Sequence, residues 1–128
     1  MREQSTRIRF VTNPVQFRPE GSYVGRVPAG VSGKEQLMRV LEEVLQLPDY
    51  FGRNWDALEE CLRDLSWLPP GRISLIHDAL PELPPKDLRT YVDVLANAVS
   101  DWKPQESYEL VVVFPERDRR RVLELLRA

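Results

Sequence analysis

Asp56, Glu60 and Asp64 stand at successive four-residue steps, with Glu59 beside them. On a helix this spacing places carboxylates on neighbouring turns of one face, where like charges repel. Paired carboxylates can work as acid and base when their surroundings push their pKa values apart, but on one exposed helix face nothing would separate Asp56 from Glu60. The row is then either a solvated polar face or a surface offered to a partner. The remaining chemistry-bearing residues add no catalytic set. His77, the single histidine, ends an expected strand with no cysteine or second histidine at metal-ligand spacing, so a structural role is expected of it. Glycine-rich phosphate loops and a Gly-x-Ser-x-Gly elbow are absent from the sequence, and Ser66, Ser74 and Ser100 have no recognisable partners. No enzyme, metal or cofactor is expected.

The acidic row needs a helix to carry it. Trp55, Leu58, Leu62 and Leu65 recur at three- and four-residue steps and form the stripe that packs inward. Asn54 is the expected N-cap, and Asp56 in the first turn favours the positive end of the helix dipole. Cys61, the only cysteine, falls between the two faces as a packing residue, with no second cysteine for a disulfide. Before this helix runs Leu47-Pro48-Asp49-Tyr50-Phe51-Gly52-Arg53. Here Pro48 is expected to stop a preceding helix, and Gly52 to supply a backbone angle other residues resist. Of Tyr50 and Phe51, either one packs under the loop while the other is exposed, or both staple the helices together.

The rest of the chain alternates strands and helices. Tyr23–Val27 reads as a weak first strand, and Ser32 as the cap of a helix from Gly33 to about Gln46, with Leu37, Val40, Leu41, Val44 and Leu45 inside. After the acidic helix, Pro69-Pro70-Gly71 turns the chain into a central strand, Arg72–His77. Pro84-Pro85 introduces a helix from about Lys86 to Asp101, with Leu88, Tyr91, Val92, Leu95 and Val99 inside, and Tyr108–Phe114 is a nearly all-apolar strand. Connections of this length imply parallel neighbours with right-handed crossovers, hence an α/β fold with a small parallel sheet covered by helices. Arg7–Val11 is a possible extra edge strand. Arg117, Arg119, Arg120 and Arg121 precede Val122, Leu123, Leu125 and Leu126, the pattern of a short amphipathic C-terminal helix with a solvated basic side.

A chain of 128 residues, 42% hydrophobic and 30% charged, fits one compact domain, and no apolar run is long enough to span a bilayer. The formal net charge is −2, but residues 34–66 hold eight acidic and four basic side chains, whereas residues 1–30 and 115–128 are net positive. This balance argues against nucleic acid as the main ligand. The start of the chain lacks the apolar core and cleavage site of a secretion signal, so a cytoplasmic protein with no membrane partner is expected.

The run from Leu47 to Leu62 has Leu-Pro-acid-Tyr-aromatic-Gly, then Asn, then Asp-Ala-Leu, and an acidic residue just before Cys-Leu. It resembles the barstar family, intracellular inhibitors of a secreted bacterial ribonuclease. The resemblance implies a small three-stranded parallel sheet covered by helices across residues 21–114, with an N-terminal extension over 1–20 and an extra C-terminal helix over 115–128. It also implies a monomer that binds a barnase-like secreted or toxin ribonuclease and plugs its cationic cleft, carboxylates standing in for the phosphates of RNA. Glu60 would be the central carboxylate, Asp56 would contact the enzyme from the preceding turn, and Tyr50, Gly52, Asn54 and Trp55 would line the rim. Four positions depart from the family pattern: Glu59 replaces an aromatic, Glu60 is longer than the usual aspartate, Arg63 replaces a small polar residue, and Asn97 replaces a glutamate on the third helix. Glu59, Arg63 and Asn97 join the expected contact set, with a changed target geometry. Alternatives are immunity to a different toxin, or a non-inhibitory interaction module using the C-terminal basic helix or the N-terminal extension.

Overall fold

The structure, a computed structural model, describes residues 7–102 and 107–127. Four strands, β1 (Ile8–Val11), β2 (Ser22–Val27), β3 (Gly71–His77) and β4 (Tyr108–Pro115), pair wholly in parallel in the order β1-β4-β3-β2. The helices are α1 (Lys34–Val44), α2 (Trp55–Asp64), α3 (Pro85–Asp101) and α4 (Arg119–Arg127). The expected three-stranded sheet is therefore corrected to four strands. The addition is β1, whose Ile8 to Val11 register against Val112 to Pro115. Its Ile8 and Phe10 alternate with Arg9 and join the core beside Phe114. Arg7 fixes this edge by donating to the carbonyls of Val99, at 2.8 Å, and Trp102 at the end of α3.

Alternation sends Ile73 and Leu75 of β3 and Leu110, Val112 and Phe114 of β4 into the main core with the inner stripes of all four helices, including Val122 of α4. The opposite sheet face carries a smaller cluster, Ile76, Val111 and Val113, backed by Phe17 from the segment joining β1 to β2. That segment is held by Arg26, which donates to the carbonyls of Pro14 (2.8 Å) and Phe17 and pairs with Asp78 at 3.2 Å. A parallel sheet is ordinarily covered on both faces; here one cover is helical and the other a short strap. No described helix is long and apolar enough to cross a membrane.

Two local expectations fail. Ser32 does not cap α1: the capping position is Gly33, which has no side chain to offer, and the Ser32 N–H donates to Gln36 Oε1 at 2.7 Å. Nor does Pro48 end α1. The chain leaves the helix earlier, through Gln46 at φ 53°, and the carbonyls it strands are met by aromatic donors. Tyr23 Oη donates to Val44 O at 3.0 Å and Trp67 Nε1 to Leu45 O at 2.9 Å. Gly25 permits this close approach of α1 to β2, since a Cβ there would lie 3.1 Å from both the Leu45 side chain and Val44 O.

His77 is structural, as its isolation in the sequence implied. Its buried ring stacks on Phe114 with centroids 4.5 Å apart. Val113 O, 3.0 Å from Nδ1, can only accept, so Nδ1 carries the proton and Nε2 accepts from the Tyr91 hydroxyl at 2.6 Å. Burial pushes the Tyr91 hydroxyl pKa up and lowers that of His77 from 6.5 to about 4, the bond to Val113 opposing the fall. Between these values the unfolded chain binds a proton that the folded chain refuses. The neutral ring's contribution is complete above pH 6.5 and is lost as pH falls toward 4. Urea unfolding at pH 7 and pH 5 should differ by about 2 kcal/mol, with the folded state weaker at pH 5.

Candidate functional site

The face begins with a loop and ends with a helix. Phe51 is buried in the core while Tyr50 is 72% exposed, so the two rings divide as one of the two loop readings has it. The Tyr50 phenol pKa is pushed up by desolvation first and then by the Asp64 carboxylate, which places the ring alongside the last turn of α2. Gly52 does not carry the unusual backbone angle; Arg53 does, at φ 56°. Glycine at position 52 answers to space, since a Cβ would come within 3.2 Å of Asn54 Nδ2. Arg53 is steadied through its side chain, Nε lying 2.9 Å from Glu42 Oε1 on α1.

Asn54 caps α2 as expected: its extended backbone turns the chain in, and Oδ1 accepts from Ala57 N at 2.8 Å. Leu58, Cys61, Leu62 and Leu65 are buried, Cys61 more completely than its boundary position implied. Its thiol pKa is pushed up by burial first, then by Asp64 and Glu60. Leu65, at φ 54°, ends the helix in the left-handed region, and Trp102 Nε1 donates to Leu62 O at 3.1 Å. Trp55 is half-buried, 6.2 Å from the Tyr91 ring, and Lys34 Nζ lies over its ring, 5.5 Å from the centroid.

The acidic side chains fall into two groups. Asp56, Glu60 and Asp64 are exposed and, among the described residues, form no ion pair. Glu59 is half-buried and tied to Arg63 at 2.8 Å, and Arg63 reaches Asp101 of α3 at 3.8 Å. Asn97, one turn before Asp101, is exposed on α3, and among the described residues its side chain makes no hydrogen bond to α2. The structure thus gathers Tyr50, Gly52, Asn54, Trp55, Asp56, Glu59, Glu60 and Arg63 on the loop and α2, and sets Asn97 on the neighbouring helix.

A family model described as Barstar (barnase inhibitor) matches residues 28–116. The chain belongs to the barstar family. No curated protein and no solved structure matches it. Barstar proteins are inhibitors and not enzymes, and the matched span runs from just after β2 into the turn beyond β4, enclosing the loop and α2 whole. As a barstar-family fold the molecule is an α/β protein with an all-parallel sheet, here of four strands.

Two neighbours of this face were absent from the expected contact set. Asp64 was in the acidic row, but its place beside Tyr50 depends on the loop folding back. Lys34 lies 21 positions before the Trp55 it covers, and no local pattern links them. Removing the cap by Asn54→Ala should destabilise the protein by about 1 kcal/mol, whereas Asn54→Asp, which keeps an acceptor, should cost only a few tenths. Thermal or urea unfolding of the two variants checks this.

Proposed function

We propose that this barstar-family protein inhibits a barnase-type ribonuclease by inserting the outer side of α2 into the enzyme's cationic cleft. Asp56, Glu60 and Asp64 are the observation that carries the reading: three exposed carboxylates in line, unpaired among the described residues, on a helix whose other side is fixed in the core. A cleft that holds an RNA backbone needs cationic side chains, and carboxylates at helical spacing meet them without offering a bond to cleave. Glu60 acts at the centre, with Asp56 one turn before it and Asp64 one turn after. Tyr50, Gly52, Asn54 and Trp55 form the rim.

Glu59 and Arg63 act at the edge, because their charges already satisfy one another, and Asn97 borders them from α3. A partner cation must compete with Arg63 for Glu59, while it meets Glu60 directly. Complementary charge also speeds encounter, for which barnase–barstar is itself the standard example. In the same reading the protein works as a monomer in the cytoplasm, and residues 1–20 and 115–128 are additions to a domain spanning 21–114.

A competing interaction-module reading draws on α4, where Arg120 and Arg121 are exposed beside Leu123, itself 38% exposed. Because Val122 is fully buried, truncating α4 would unfold part of the core, so charge variants discriminate better. RNA cleavage by a barnase-type ribonuclease should stop at one equivalent of the wild-type protein. Glu60→Ala should raise the inhibition constant by about 30-fold or more, the lower end of the range of about 2–5 kcal/mol that follows loss of one partner in a buried charge pair, and Asp56→Ala by less. Arg120→Gln with Arg121→Gln should leave inhibition unchanged. Inhibition that survives Glu60→Ala and fails in the α4 variant would replace the plug by the α4 surface.

A further inference from the structure

Beside the acidic row lies a depression of the opposite sign. A cavity of about 160 Å³ is lined by Lys34, Glu35, Met38, Arg39 and Arg53, the last from the loop before α2. It is too small for a drug-sized ligand, whose pockets run to about 300–1,000 Å³, and of its lining residues all but Met38 are charged. Arg53 is neutralised by Glu42, and Glu35 opposes one further cation, which leaves the depression net positive through Lys34 and Arg39. Among the described residues neither Lys34 nor Arg39 has an ion-pair partner. The depression is continuous with the proposed inhibitory face: Lys34 stacks over Trp55, the residue next to Asp56, and Arg53 stands three positions before Asp56.

We propose that this depression receives an acidic side chain from the rim of the ribonuclease cleft, so that the inhibitor reads its partner by a paired pattern of charge, acid from α2 into cations and Lys34 with Arg39 onto a carboxylate. The proposal rests on the plug reading and deepens it. A purely anionic face would be drawn to any cationic surface, and a cation at a fixed offset from the acidic row penalises those lacking the matching acid. The rigid elements suit this. Lys34 opens α1, Arg39 lies further along it, and the cation–π contact restrains the lysine at the mouth.

The sign of one effect separates this role from general electrostatics. Removing positive charge from an inhibitor of a cationic enzyme speeds encounter through the long-range field, and by that field alone would tighten binding. A local carboxylate partner demands the opposite. Inhibition constants and association rates should be measured against a barnase-type ribonuclease for wild type, Arg39→Glu, Lys34→Gln and Glu60→Ala, with thermal unfolding confirming that each is folded. We expect Arg39→Glu to weaken inhibition at least tenfold while association stays as fast or quickens, and Lys34→Gln to weaken it several-fold. Equal or tighter inhibition by a folded Arg39→Glu variant, with Glu60→Ala defective, overturns the paired-charge proposal and leaves the plug intact. Wild-type protein that does not inhibit, or Glu60→Ala that inhibits as well as wild type, overturns the plug and this proposal with it.

Discussion

Burial of Leu58, Leu62 and Leu65 is the interaction on which the functional face depends. Two like-charge pairs, Asp56 with Glu60 and Glu60 with Asp64, oppose α2 by about 0.2–0.5 kcal/mol each. Each buried leucine contributes about 1.5–3 kcal/mol in the other direction, so the apolar side decides that the helix forms and the acidic side is carried along. A ten-residue helix would be marginal alone in water, and one with this charge row more so. The row is therefore tolerable only on a helix that tertiary packing holds in place.

Packing also aims the face. The C-terminal carbonyls of α1 and α2 are taken by Tyr23, Trp67 and Trp102, side chains whose rings fill the core margin while their polar atoms reach backbone. These bonds fix where each helix stops, and so the span that the loop 46–54 must cross. Within it Phe51 anchors inward, Arg53 is held by Glu42, and Asn54 starts α2. Tyr50 is left projecting beside Asp64, which makes the loop and helix one surface. The edge strand β1 and the strap behind the sheet extend the same logic, each pinned by an arginine donating to backbone carbonyls, Arg7 at the end of α3 and Arg26 across the strap.

Amphipathic periodicity and the nearly all-apolar strand Tyr108–Phe114 made the alternating α/β order readable, because burial imposes a period of two on strands and of 3.6 on helices whatever the neighbours. The cap at Asn54 and the isolation of His77 were equally local. Errors fell where a local signal had a competitor. Gly52 looked like the source of an unusual backbone angle, yet it answers to crowding by Asn54 while Arg53 takes the angle. Pro48 looked like the end of α1, yet Gln46 ends it because aromatic donors wait for the freed carbonyls. The strand at Ile8–Val11 was faint because four residues with a single polar side chain among them carry little periodic signal, and its partner β4 lies about a hundred positions away.

For the face itself, composition and spacing were enough to put Asp56, Glu60 and Asp64 in one row opposite Leu58 and Leu62, because helical geometry alone relates residues four apart. Glu59 and Arg63, one turn apart on the same helix, pair by that same local geometry, whereas the reach of Arg63 to Asp101 was settled by the fold, because it requires α3 to lie against α2. The fold alone also brought Lys34 over Trp55 and set a cationic depression beside the acidic row. The physical reason is one of range. Periodicity reports what a single element must bury, whereas the pairing of charges depends on which elements meet, and that is fixed by packing among residues far apart in the chain.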